Sequence, residues 1–182
     1  MQITSKMLGI SLWTTPVESN PLKIYMAWLK KSGGKSFFSH ADFQTTLHQE
    51  LSVLDNLLLA IGDGSIEGNI LEKENHLSWK LESEGLKALA SWFKNPHRRA
   101  RDLSEQEAFV ASVCHALLRP VEKVLIDMNQ VKLDPMCANQ LQKTLKDKSN
   151  VKHITVRVLD KTQWSEGFDE EFNHQPSKTH AA

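Results

Sequence analysis

The chain has 182 residues, a formal net charge of zero, 40% hydrophobic residues and 24% charged residues. These values are ordinary for a globular protein, and the zero net charge argues against a surface built mainly to bind a polyanion. No run approaches the roughly 18 apolar residues of a membrane-spanning helix, and the N-terminus lacks a signal-peptide core. We therefore expect no membrane insertion and a cytoplasmic location.

A weak strand and a helix are predicted at the start of the chain. Residues 1–19 alternate weakly in hydropathy, with Ile10 and Leu12 on one side, which predicts an edge strand. The Asn-Pro pair that follows is typical of a helix start, so a helix is expected over residues 20–31.

A long helix is predicted over residues 39–61. Ser39 and Asp42 have the spacing of a capping box, and Gly62 is expected to end the helix. Its apolar residues recur every three or four positions as a continuous seam, formed by Phe43, Leu47, Leu51, Leu54, Leu58 and Ile61. We expect this seam to pack in the core, and the alternative is that it pairs two copies as a homodimer.

The middle of the chain is predicted to hold a hairpin and two helices. Residues 65–71 and 76–81 flank a polar turn and predict a β-hairpin with Leu77, Trp79 and Leu81 on one face. Ser83 is expected to cap a helix that ends before Asn95, with Leu86, Leu89, Ala90 and Phe93 facing inward.

A second capping box lies further along the chain. Ser104 and Glu107 form it and open a helix that ends before Pro120.

Residues 123–159 predict a βαβ unit. A short apolar strand comes first, Asp134 and Pro135 then open a helix to about Lys148, and an alternating strand closes the unit. The predicted fold is therefore α+β or α/β, a mostly helical single domain over residues 1–164. Its small mixed sheet is expected to combine this unit with the central hairpin.

The run VLIDMNQVKLDPMCANQL inside this unit resembles the core of STAS domains, regulatory modules of the anti-sigma-factor-antagonist type. The resemblance implies an α/β module that acts by binding another protein. In that family a serine that can be phosphorylated commonly follows the second Asp. Here Pro135 follows Asp134, so the resemblance implies no phosphorylation switch.

Residues 165–182 are predicted to form a flexible acidic-aromatic tail. Trp164, Phe168 and Phe172 are spaced by four among acids that include Glu170, which is the pattern of a short docking peptide. These four residues are the candidate protein-binding site. The alternative is that the tail folds back onto its own domain.

The densest cluster of basic residues lies in the loop before Ser104. His97, Arg98, Arg99 and Arg101 are an alternative site for an anion or nucleic acid, because guanidinium groups bind phosphate beside a helix start. The alternative to a binding site is a solvent-exposed cluster whose positive charge compensates a helix dipole.

Two aspartates mark the carboxyl ends of the two predicted parallel strands. Asp127 and Asp160, joined by Asp134, have the chemistry to hold Mg²⁺ or to act as acid and base. However, no glycine-rich phosphate loop follows the first strand of the unit.

The remaining reactive side chains indicate no cofactor. Cys114 and Cys137 are predicted to be buried, inert thiols, and the eight histidines show no spacing typical of a metal site. We therefore expect no metal and no cofactor.

The favoured hypothesis is a non-catalytic protein-interaction module, such as an adaptor, a chaperone-like protein or a regulatory subunit, with another protein as its partner. The first alternative is a nucleic-acid-associated protein that uses the basic loop. The second is a metal-dependent phosphoryl-transfer enzyme that uses Asp127 and Asp160.

Overall fold

The computed structural model describes residues 10–14, 38–41, 46–62, 68–128 and 131–158. Within these ranges the chain forms one four-stranded parallel sheet in the order β1-β4-β3-β2. The strands are β1 (Ile10–Thr14), β2 (Phe38–Ala41), β3 (Lys123–Asp127) and β4 (His153–Val158).

The same ranges contain five α-helices. They are α1 (Val53–Ile61), α2 (Ile70–Ser83), α3 (Lys87–Ala90), α4 (Glu105–Leu118) and α5 (Pro135–Lys148), with a 3₁₀ turn at Ala100–Asp102. This confirms a small fold that mixes helices with a sheet.

The helix predicted over residues 20–31 lies outside the described residues. No helix in the described ranges is long and apolar enough to cross a membrane.

The predicted βαβ unit is confirmed as β3-α5-β4. Strands β3 and β4 pair in parallel, and the three central residues of β3 are fully buried, as expected when helices cover both faces of a sheet. The Asp134 carboxylate accepts hydrogen bonds from the N–H groups of Met136 and Cys137 at 2.8 and 3.4 Å. Since Pro135 has no N–H to satisfy, the helix starts where the sequence predicted.

The predicted N-terminal edge strand is also confirmed. Strand β1 pairs in parallel with β4, starting from Ile10 opposite Ile154, and lies at the edge of the sheet. All three strand pairs are parallel, so the expectation of a mixed sheet is corrected.

The predicted hairpin over residues 65–71 and 76–81 is wrong, because residues 70–83 form the single helix α2. Asn69 and Glu72 make a complete capping box at its start. Leu77 and Leu81, four residues apart, are buried on one side, while Trp79 is 63% exposed. The alternation of Leu77, Trp79 and Leu81 has the spacing of a strand, but only Leu77 and Leu81 are buried, and their separation of four residues is that of one helix face.

The predicted helix over residues 39–61 is also wrong in its first half. Ser39 is a buried residue of β2, and α1 begins only at Val53, with Ser52 as its N-cap. The predicted end is confirmed, since Gly62 closes the helix with a φ of +87°, which glycine adopts without strain. Leu47, a member of the expected seam, is buried in a loop, so the seam is not one continuous helical stripe over the described residues 46–62.

Asn56 holds the loop that replaces the first half of that helix. It is 1% exposed, its Oδ1 accepts the His48 N–H at 2.7 Å, and its amide donates to the carbonyls of His48 and Ser52 at 3.0 and 2.9 Å. A longer contact of 3.4 Å reaches the Leu51 carbonyl. One side chain therefore satisfies several backbone groups that a helix would have satisfied internally.

The helix predicted after Ser83 is shorter than expected. Ser83 is the last residue of α2, Gly85 follows with a φ of +65°, and only Lys87–Ala90 is helical. The inward-facing residues are nevertheless confirmed, because Leu86, Leu89, Ala90 and Phe93 are all buried.

The second capping box is confirmed at the start of α4. The Ser104 hydroxyl accepts the Glu107 N–H, and the Glu107 carboxylate accepts the Ser104 N–H at 2.9 Å. The helix it opens buries nine of its 14 residues.

We predict that Asn56→Ala lowers the free energy of unfolding by about 2–4 kcal/mol, because it leaves buried backbone groups without partners. Urea denaturation monitored by circular dichroism measures the change. Asn150→Ala is the matched control, since its amide makes an exposed hydrogen bond to the Asp147 carbonyl. Equal, small effects of both substitutions would contradict the proposed role of Asn56.

Candidate functional site at the carboxyl edge of the sheet

The four parallel strands end at a common edge, which is where open parallel sheets bind their ligands. Asp127 is the last residue of β3 and therefore lies at this edge. Asp127 is also the central residue of the predicted acid-base or metal site.

The structure pairs Asp127 with Arg157 on the neighbouring strand. The two residues lie directly opposite each other in the register, and Arg157 Nη1 donates to Asp127 Oδ2 at 2.7 Å. Arg157 is 1% exposed, and the Asp127 side chain is 14% exposed. A charge-assisted hydrogen bond that is this short and this buried engages the Asp127 carboxylate, so Asp127 is poorly placed to hold a metal ion.

The structure does not show Asp134 or Asp160 in a cluster with Asp127. Asp134 caps α5, and its own N–H donates to Gln106 Oε1 at 2.7 Å, which ties the starts of α4 and α5 together. Asp160 lies outside the described residues. Within the described part of the chain, no group of three or more His, Cys, Asp or Glu side chains is placed to hold a metal ion.

The basic loop is compensated by carboxylates. Arg98 Nη1 lies 3.0 Å from Glu107, Arg101 Nη1 lies 2.8 Å from Glu50, and Arg99 lies 3.5 Å from the same Glu50. A further pair joins the loop to α2, with His97 Nε2 2.6 Å from Glu74. An incoming phosphate would therefore have to compete with carboxylates that the protein already supplies.

Glu107 is held in its charged form. Partial burial alone would raise the pKa of Glu107, but hydrogen bonds from Ser104 and the charge of Arg98 together hold that pKa below its usual value. The pair with Arg98 is consequently part of the cap of α4, which supports the structural interpretation of the basic loop.

The thiols and the neighbouring histidine are unsuited to nucleophilic catalysis. Burial raises the pKa of Cys114 far above its usual value, and burial raises that of Cys137 to about 11. Burial, together with the charges of Arg119 and His48, lowers the pKa of His115 to about 4. Because the thiolate is the reactive form, buried thiols at such values are inert.

The candidate protein-binding residues Trp164, Phe168, Glu170 and Phe172 lie outside the described residues. Arg157, which lies in the alternating strand that closes the βαβ unit, was not among the predicted site residues. Arg157 alternates with Ile154 and Val156, and parallel sheets are usually covered on both faces. A charged residue at this position is therefore expected to be buried with a partner, which is the signal for the ion pair.

Comparison with solved structures relates this fold to chains of ATP-binding cassette proteins. A bacterial Atm1-family ABC exporter with ATP bound matches with a TM-score of 0.61 and 9% identity, over 86% of this chain and 30% of that one. A transporter described as of the metal-chelate ABC type, in an inward-facing conformation, matches at 0.56 and 13%, over 85% and 63%. A dimeric ATP-binding cassette in a post-hydrolysis state, bound to ADP and Pi, matches at 0.61 and 14%, over 87% and 78%.

The chain thus spans less than two thirds of the length of the first two structures. No protein-family model and no curated protein matches it. At identities of 9–14% the likeness concerns the fold alone.

We predict that Asp127→Asn lowers the free energy of unfolding by about 3 kcal/mol, because it leaves the buried Arg157 charge without this carboxylate. Arg157→Met should have a similar effect, and the double variant should lose much less than the sum of the two. Urea denaturation of all four proteins measures this coupling.

The control for that cycle is the exposed pair of Lys87 and Glu82, whose side chains are 63% and 66% exposed. Glu82→Gln should change stability far less. Additive effects of Asp127→Asn and Arg157→Met would show that the ion pair contributes little.

We predict that stability falls as the pH is lowered from 6.5 towards 4. In this range His115 becomes protonated in the unfolded state but stays neutral in the folded state, because its folded-state pKa is lowered to about 4. The loss due to this group should reach up to about 3 kcal/mol. His115→Gln should flatten the pH dependence in this window. Urea denaturation at a series of pH values is the measurement, and parallel curves for wild type and His115→Gln would contradict the prediction.

Proposed function

We propose that the chain is a non-catalytic protein-interaction module, an adaptor or regulatory subunit that has the fold of an ATP-binding cassette without its phosphate chemistry. The observation that carries the proposal is the buried ion pair between Asp127 and Arg157 at the ligand edge of the sheet. In nucleotide hydrolases with a phosphate-binding loop, an aspartate that ends such a strand holds Mg²⁺. Here a guanidinium supplies the positive charge instead.

The sequence after β1 supports the same conclusion. A phosphate-binding loop follows a strand, contains glycines and opens a helix. Residues 15–22 read TPVESNPL and contain no glycine. The run Gly34-Lys35-Ser36 matches only the last three positions of that motif, and Leu29 stands where its first glycine belongs.

The residue after Asp127 adds a further argument. Met128 is 6% exposed and apolar, and its N–H donates to the Arg157 carbonyl at 2.9 Å. It offers no group that could take a proton from an attacking water. At the edge where an ATP-binding cassette would bind nucleotide, this chain therefore has the buried thioether of Met128 and an Asp127 carboxylate that is paired with Arg157.

Exposed apolar residues supply surfaces for a partner protein. Ile70, Leu71 and Trp79 on α2 are each more than 60% exposed, and Leu59 on α1 is 47% exposed. The acidic-aromatic tail, with Trp164, Phe168, Phe172 and Glu170, remains the proposed anchor segment. The two buried free thiols are compatible with a reducing, cytoplasmic setting.

The alternative of nucleic-acid binding has weaker support. Arg98, Arg99 and Arg101 each lie within 4 Å of a carboxylate, so the basic loop presents little uncompensated positive charge. Binding through such a loop would still be recognisable by a steep decrease with salt.

We predict that the purified full chain neither hydrolyses ATP in the presence of Mg²⁺ nor releases phosphate above the rate of an Asp127→Asn control. A tagged full chain should instead recover a stoichiometric protein from its host after nuclease treatment. Replacing Trp164, Phe168 and Phe172 together by alanine should remove that protein. Replacing Arg98, Arg99 and Arg101 by alanine should not.

ATP hydrolysis by the wild type that disappears in an Asp127→Asn variant shown by circular dichroism to be folded would overturn the proposal in favour of the enzyme. Recovery of nucleic acid alone, lost with the three arginines, would overturn it in favour of the first alternative. Loss of the partner with the aromatic triple variant alone would support both the adaptor role and the tail as its anchor.

A further inference from the structure

No further inference is drawn: the strongest candidate, the partly open apolar cavity among α1, α2 and α3 that Leu54, Leu77, Leu81 and Phe93 line, carries nothing, because nothing in the described part of the chain shows what covers it.

Discussion

The structure depends on burying α4 on almost every side. Nine of its 14 residues are buried, among them Phe109, Val113 and Leu117, and it packs against α1, α3 and the sheet. A helix that is apolar all round needs neighbours on all sides, which is why short helices and a parallel sheet surround it. Its two ends have side-chain partners, the capping box of Ser104 and Glu107 at the start and Lys152 just beyond the end.

The charged residues of this protein mainly stabilise its own architecture. At the end of α4, the buried Lys152 donates to the carbonyls of Arg119 and Val121 at 2.8 and 2.7 Å, and burial lowers its pKa. Lys148 forms a 2.7 Å hydrogen bond with Glu84, which lowers the pKa of that carboxyl despite its partial burial. The pair of Asp127 and Arg157 follows the same pattern at the sheet edge.

The sequence was informative where local signals and tertiary packing agree. Asp134 and Pro135 start α5 by cap chemistry alone, and Ser104 with Glu107 does the same for α4, so both were predictable. The loop held by Asn56 was not, since its stability comes from one buried amide that contacts residues up to eight positions away. Asp127 was placed correctly at the edge of the sheet. Its engagement with Arg157 was missed, because strand register across a crossover is a tertiary property.

The strand pairing also has a consequence for the order in which the chain folds. The pairing of β3 with β4 closes only the short α5 crossover, whereas Ile10 of β1 must find Ile154 across nearly the whole chain. Because loop closure costs more entropy over longer separations, we expect β3-α5-β4 to assemble early and β1 to add late. Until β1 arrives, β4 is an uncovered edge that offers unpaired backbone groups to other chains. The backbone edge of β4 is therefore covered only once the five residues of β1 pair with it, and β1 then becomes the edge strand.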